Sequence, residues 1–193
     1  MRSLGCSDPG RTPRPPDVVF ANACVSIGTL TEAAEDEQLF REVLETNVIG
    51  VMNTFQPYVA AMRERGHGIL VGIASVAGYR GLPGAVAYSA SKAAAIRYLE
   101  SLRVELRGSG IHVITVCPDY IDTAMTAKNP YRMPFIMDAD RAAAAIAGIV
   151  ARRKSYAVIP WQMALVAGLM YVLPRPLYDT IAARAGRKPR RGD

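Results

Sequence analysis

Histidine and cysteine are scarce in this chain: two His and three Cys among 193 residues. Cys6, Cys24 and Cys117 stand at no CxxC or metal-ligand spacing, and their odd number argues against a disulfide framework. His67 and His112 are isolated and read as ordinary loop or strand-edge residues, so no metal site is expected. The N-terminus has no basic region followed by an apolar block, so no secretory leader is expected either. These shortages fit a reducing compartment, and a cytoplasmic location is expected.

Long hydrophobic runs are nearly missing as well. Ala157 to Leu173, AVIPWQMALVAGLMYVL, is uncharged for 17 residues, at the short limit for spanning a bilayer, and Pro160 and Gly168 weaken a continuous helix there. A buried or lid helix is the preferred reading, ahead of peripheral membrane contact and of a true span.

Charge is plentiful but unevenly placed. The formal net charge is +6, of which the first sixteen residues carry two and the last ten carry four, leaving 17 to 183 formally neutral. The basic character therefore belongs to Pro-, Gly- and Arg-rich ends, which bury too little apolar surface to offset ordering entropy. Segments 1 to 16 and 184 to 193 are expected to be disordered, with one domain at 17 to 183. No nucleic-acid partner is expected. With 50% hydrophobic residues, that length suffices for a full core.

Along the domain, apolar runs alternate with helical periodicity. Val18 to Ala21, Ile69 to Ala74, Ile111 to Cys117 and Tyr156 to Ile159 read as buried strands. Leu39, Val43, Val48, Val51, Met52, Phe55, Val59 and Met62 recur at three and four spacing and predict one long helix from about Glu35 to Arg65, ended by Gly66 and Gly68. Tyr88 to Leu106 predicts a second helix. Asp138 is a plausible cap for a third, running to about Arg152. The alternation argues for an α/β fold, a doubly wound parallel sheet with helices on both faces.

Four residues carry the chemistry. Tyr88 and Lys92 are four apart on a helix and share a face. At an assumed 4 Å and an effective dielectric near 20, ammonium would stabilise phenolate by roughly 4 kcal/mol, about three pK units, bringing the phenol near 7. Ser75 follows a strand's carboxyl end, where such folds bind ligands. Asn47 sits inside the long helix, where a poor helix former is locally unfavourable and an exposed or capped Asn is the ordinary explanation.

Together ANAC (Ala21 to Cys24), Asn47, Ser75, YSASK (Tyr88 to Lys92) and PDYIDT (Pro118 to Thr123) resemble the short-chain dehydrogenase/reductase family. The resemblance implies an NADP- or NAD-dependent oxidoreductase acting on a small-molecule carbonyl or secondary alcohol. It implies Tyr88 as proton donor or acceptor, Lys92 lowering its pKa and holding the nicotinamide ribose, Ser75 on the substrate oxygen, and Asn47 holding a water that links Lys92 to solvent. Asn22, Ala23, Pro118, Ile121 and Thr123, with Tyr88 and Lys92, would line the cofactor.

Cys24 and Asp119 stand where the family has glycine, and an acidic Asp119 beside a pyrophosphate puts cofactor affinity in doubt. The resemblance also implies a Rossmann-like domain that lacks the family's first strands and its Gly-rich phosphate loop. Gly5 and Gly10 do not replace that loop, having no strand before them. A misplaced start of the gene is the preferred explanation over a genuine truncated product or a partner chain that completes the sheet.

A homo-oligomer through the two long helices is expected if the domain is complete, and the Met and aromatic content of the C-terminal part suggests an apolar or lipid-like substrate. The alternatives are an inactive remnant that at most associates with other subunits, and a nucleotide-sugar epimerase. The epimerase would be expected to carry a longer substrate domain after Thr123.

Overall fold

The computed structural model of the chain describes residues 15–127, 129–184 and 186–190. The expected disorder of segment 1 to 16 falls mostly outside the described residues, as do residues 191–193. Four strands, β1 (Val18–Ala21), β2 (Gly68–Ile73), β3 (Ile111–Pro118) and β4 (Tyr156–Ile159), form one parallel sheet in the order β1-β2-β3-β4. Val18 faces Ile69, Val71 faces Ile114 and Cys117 faces Val158 across the three pairings. The strands are short, apolar runs because helices cover both faces of the sheet.

Alternation along the strands sorts the core into two layers. On one face Val19, Leu70 and Val113 meet Val51, Phe55 and Met62 of α2 (Gly50–Arg65) and Leu99 of α3 (Val86–Glu105). On the other, Val71, Ile114 and Val116 meet Ala142 and Ile149 of α4 (Ala139–Ala151). The fold is the expected α/β doubly wound type. Gly72 lets α3 lie close to the sheet, since a Cβ there would stand 2.4 Å from Leu99 Cδ1.

The single long helix expected from about Glu35 to Arg65 is interrupted. It runs as α1 (Asp36–Leu44), a wider π turn at Glu45–Ile49, and α2. The extra residue of a π turn rotates the side chains that follow, and here it turns Asn47 inward to 1% exposure. Periodicity alone hides such an insertion. Gly66, at φ 75°, caps α2, whereas Gly68 opens β2 instead of ending the helix. Asp138 caps α4 as expected, its Oδ1 accepting from the Asp140 and Arg141 amides at 2.9 and 3.2 Å.

The uncharged run 157 to 173 divides into β4 and α5 (Trp161–Val172), followed by α6 (Arg175–Ala182). Among the described residues no helix is long and apolar enough to cross a membrane. Met163 and Ala167 of α5 pack inward on Val76, while Trp161, Leu165, Leu169 and Val172 face outward, each more than 60% exposed. Arg80 ties this part down: its Nη1 donates to the Met170 and Leu173 carbonyls at 3.1 Å, groups that helix geometry leaves unpaired. Its guanidinium also lies 4.1 Å from the centroid of the Tyr178 ring in α6.

Candidate active site

The carboxyl ends of β1, β2 and β3 open into a cavity of about 660 Å³. Ser75, Tyr88 and Lys92 all line it, with Asn22, Ala23, Pro118, Ile121 and Thr123. Asn47, the remaining expected catalytic residue, does not line it.

Each is placed by local structure. Ser75 follows β2 in extended backbone, with φ −168° and ψ 157°, and its Oγ accepts from the Ala77 amide at 3.1 Å, starting a short turn at Val76–Gly78. Tyr88 sits in the first turn of α3, and Lys92 lies one turn on, 2% exposed. Asn47 uses its amide on protein groups: Oδ1 accepts from Val25 N at 2.8 Å, and Nδ2 donates to Val25 O at 2.9 Å and to Ser91 Oγ at 3.0 Å. Ser91 in turn donates to the Tyr88 carbonyl at 2.7 Å. One buried side chain thus fastens the loop after β1 to the turn of α3 that carries Tyr88, so Asn47 is neither exposed nor a helix cap.

The electrostatics differ from the simple pair estimate. Lys92 Nζ donates to the Ile73 carbonyl at 2.9 Å and lies 5.8 Å from the centroid of the Tyr88 ring. The ammonium thus commits one proton to the end of β2, a bond the pair estimate did not include. Burial pushes the Tyr88 phenol above its usual value of 10, the nearby Cys24 adds to the rise, and the Ser75 hydroxyl opposes it. Burial therefore acts against the ammonium attraction assumed for the pair.

Asp119 Oδ2 lacks a partner in the cavity wall among the described residues, and the Ser26 hydroxyl acts on the Tyr88 phenol alongside Ser75. Burial also raises the Asp119 carboxyl to about 6, against an ordinary value of 3.8. Asp119 was marked in the sequence only as a departure from glycine. Ser26 and Lys188, which also lines the cavity, carried no sequence signal at all.

These groups bear on a dinucleotide. The cavity offers a lysine ammonium, an asparagine, a threonine and the Ser26 hydroxyl, a donor set that suits ribose hydroxyls and a carboxamide. Asp119 opposes a phosphate only while it is ionised.

The chain matches the short chain dehydrogenase family over residues 14–133. It belongs to that family. It is 40% identical over 168 residues to an uncharacterized oxidoreductase of Myxococcus xanthus (strain DK1622), covering 87% of this chain and 66% of the relative. An acetoacetyl-CoA reductase of Rhizobium meliloti (strain 1021) is 36% identical over 62% of this chain and 49% of its own length. A short chain dehydrogenase from Burkholderia cenocepacia J2315, solved in complex with NADP, superposes with a TM-score of 0.74 at 25% identity, covering 85% of this chain and 68% of that one. The chain spans about half to two thirds of the length of these curated relatives.

Proposed function

We propose that this chain carries the catalytic and substrate side of an NAD(P)-dependent oxidoreductase that interconverts a carbonyl compound and its secondary alcohol, with Tyr88 as the general acid and base. The observation that carries this reading is the convergence of Ser75, Tyr88 and Lys92 on one cavity at the carboxyl ends of parallel strands. The NADP bound to the Burkholderia relative supports the cofactor assignment.

A bound nicotinamide dinucleotide supplies the hydride. In reduction Tyr88 gives its proton to the carbonyl oxygen as the carbon receives the hydride, and Ser75 donates a hydrogen bond to the same oxygen. In the reverse direction Tyr88 takes the proton of the alcohol. Burial, which raises the Tyr88 pKa, favours the donor role. Lys92, with one of its ammonium protons on Ile73 O, has donors left for the ribose hydroxyls. Asn47 acts at one remove, by holding the Tyr88 turn through Ser91.

The substrate side is apolar, walled by Leu82, Met125, Met163, Val166 and Met170. With the acetoacetyl-CoA reductase among the relatives, this supports an acyl or otherwise lipid-like carbonyl substrate. Association of copies through α2 and α3 belongs to the same reading, and Met52 and Val104 stand exposed on those helices.

The test is NADPH oxidation by the purified chain with acetoacetyl-CoA, alongside Tyr88→Phe. Turnover that falls by about 10²- to 10⁴-fold in the variant, with NADPH affinity kept, supports the role of Tyr88. An absence of both NADPH binding and turnover in the unmodified chain would sink the reading.

A further inference from the structure

Residues 186–190 belong to the tail expected to be disordered, yet they thread a groove at the mouth of the cavity. The Gly28 amide donates to the Pro189 carbonyl at 2.9 Å. A Cβ on Gly28 would stand 2.4 Å from Lys188 O, and one on Gly84 would stand 3.1 Å from Arg187 Cβ and 3.2 Å from Lys188 N. The groove is thus glycine on both sides where the chain passes. Gly186 rests on Tyr131, itself part of the cavity wall. Arg190 fastens the end, with Nη2 2.8 Å from Glu35 Oε1 and Nε 3.0 Å from Asp36 Oδ2. Asp36 is 4% exposed and also accepts from the Leu30 amide at 2.7 Å, so the anchor is built into the loop after β1.

Held in this way, Lys188 lines the cavity with its Nζ 5.1 Å from the centroid of the Tyr88 ring. It forms no ion pair among the described residues. Burial pulls its pKa below the usual lysine value, with only the nearby Cys24 thiol opposing the shift. An anion arriving beside Tyr88 would meet a cation already in place and would offset part of that desolvation.

We propose that Lys188, positioned by the strap of residues 186–190, is an anion-recognising residue of this site, taking a carboxylate or phosphate of the ligand that binds beside Tyr88. Two sources share this chemistry. One is a carbonyl substrate with an anionic group a few bonds from the reacting carbon, as in a 3-oxo acid, and the other is a phosphate of the dinucleotide. The assignment of the ligand as substrate or cofactor rests on the oxidoreductase reading. The presence of an anion site does not.

Calorimetric titration of the full chain with acetoacetate, ethyl acetoacetate and NADP tests the proposal, using Lys188→Met, Lys188→Arg and Gly28→Ala. A charge-assisted hydrogen bond leads us to expect Lys188→Met to weaken one anionic probe by about tenfold or more, leave the ester unchanged, and be largely rescued by Lys188→Arg. Gly28→Ala, which leaves Lys188 intact but denies the strap its groove, should reproduce the loss.

Loss with acetoacetate assigns the anion to the substrate, and loss with NADP assigns it to the cofactor. Binding of both anions by Lys188→Met and Gly28→Ala as tightly as by the unmodified chain, or more tightly because the strap only obstructs the site, overturns the proposal. So does an unmodified chain that binds neither anion. Because the readout is binding, a chain with neither NADPH binding nor turnover whose acetoacetate binding still depends on Lys188 refutes the oxidoreductase reading alone. A chain with Tyr88-dependent turnover and unchanged Lys188→Met binding refutes this one alone.

Discussion

The cavity wall made by β2 and α3 and the wall made by residues 119–190 are held by different interactions. In the first, Ser75, Ser91 and Lys92 are buried and bonded to backbone or to one another, and Asn47 locks the neighbouring loop against them. In the second, α5 rests on a small apolar cluster with most of its outer face in solvent, and α6 and the tail are tied by a few arginine contacts. Buried, mutually satisfied polar groups specify one geometry, whereas long exposed side chains and short tethers tolerate change. The wall that carries Ser75, Tyr88 and Lys92 is therefore built to stay fixed, and the opposite wall can be altered without disturbing it.

Four substitutions break or sharpen that contrast. Asn47→Ala strands the Val25 backbone groups and the Ser91 hydroxyl, and chemical denaturation should show a loss of about 2–3 kcal/mol, the largest effect of the set. Asp119→Asn tests a buried carboxylate oxygen without a partner on the other wall. Its folded pKa, about 6, lies above the ordinary 3.8, so the unfolded chain ionises first and stability falls as pH rises from about 4 to about 6. At about 1.4 kcal/mol per pK unit the full shift would amount to about 3 kcal/mol, and because the carboxyl is partly solvated Asp119→Asn should gain on the order of 2 kcal/mol at pH 7 and nothing below pH 3, read from denaturation curves at both pH values.

The same substitution should remove any tightening of NADP binding as pH drops through 6, because the native carboxyl loses its charge there. Arg80→Ala frees two carbonyls at the end of α5 and the Tyr178 ring, and should cost about 1–2 kcal/mol, with amide exchange rising in α5 and α6 but not in α3. Leu165→Ser, on the exposed face of α5, should change thermal stability by no more than about 0.5 kcal/mol. A large loss there would show that α5 is covered in solution.

Sequence periodicity located every strand and most helices, because a parallel sheet covered on both faces leaves short apolar runs separated by amphipathic ones. The motif residues were equally legible, since Ser75, Tyr88 and Lys92 reach one cavity through local strand-to-turn and i,i+4 geometry. What periodicity missed depends on distant partners. The π turn at Asn47 exists for contacts with Val25 and Ser91, 22 and 44 residues away. Residues 186–190 are held by Gly28, Glu35 and Asp36, about 150 residues earlier, and by composition this segment reads as solvated. Spacing likewise puts Lys92 on the face of Tyr88 but does not reveal that its ammonium prefers the end of β2.

That preference has a consequence for recognition. A lysine free in solvent must give up rotamer freedom worth up to about 1.5–2 kcal/mol when it grips a ligand. Lys92, 2% exposed and anchored on Ile73 O, has given it up when the chain folds, so ligand capture by its remaining donors proceeds from a side chain already immobilised.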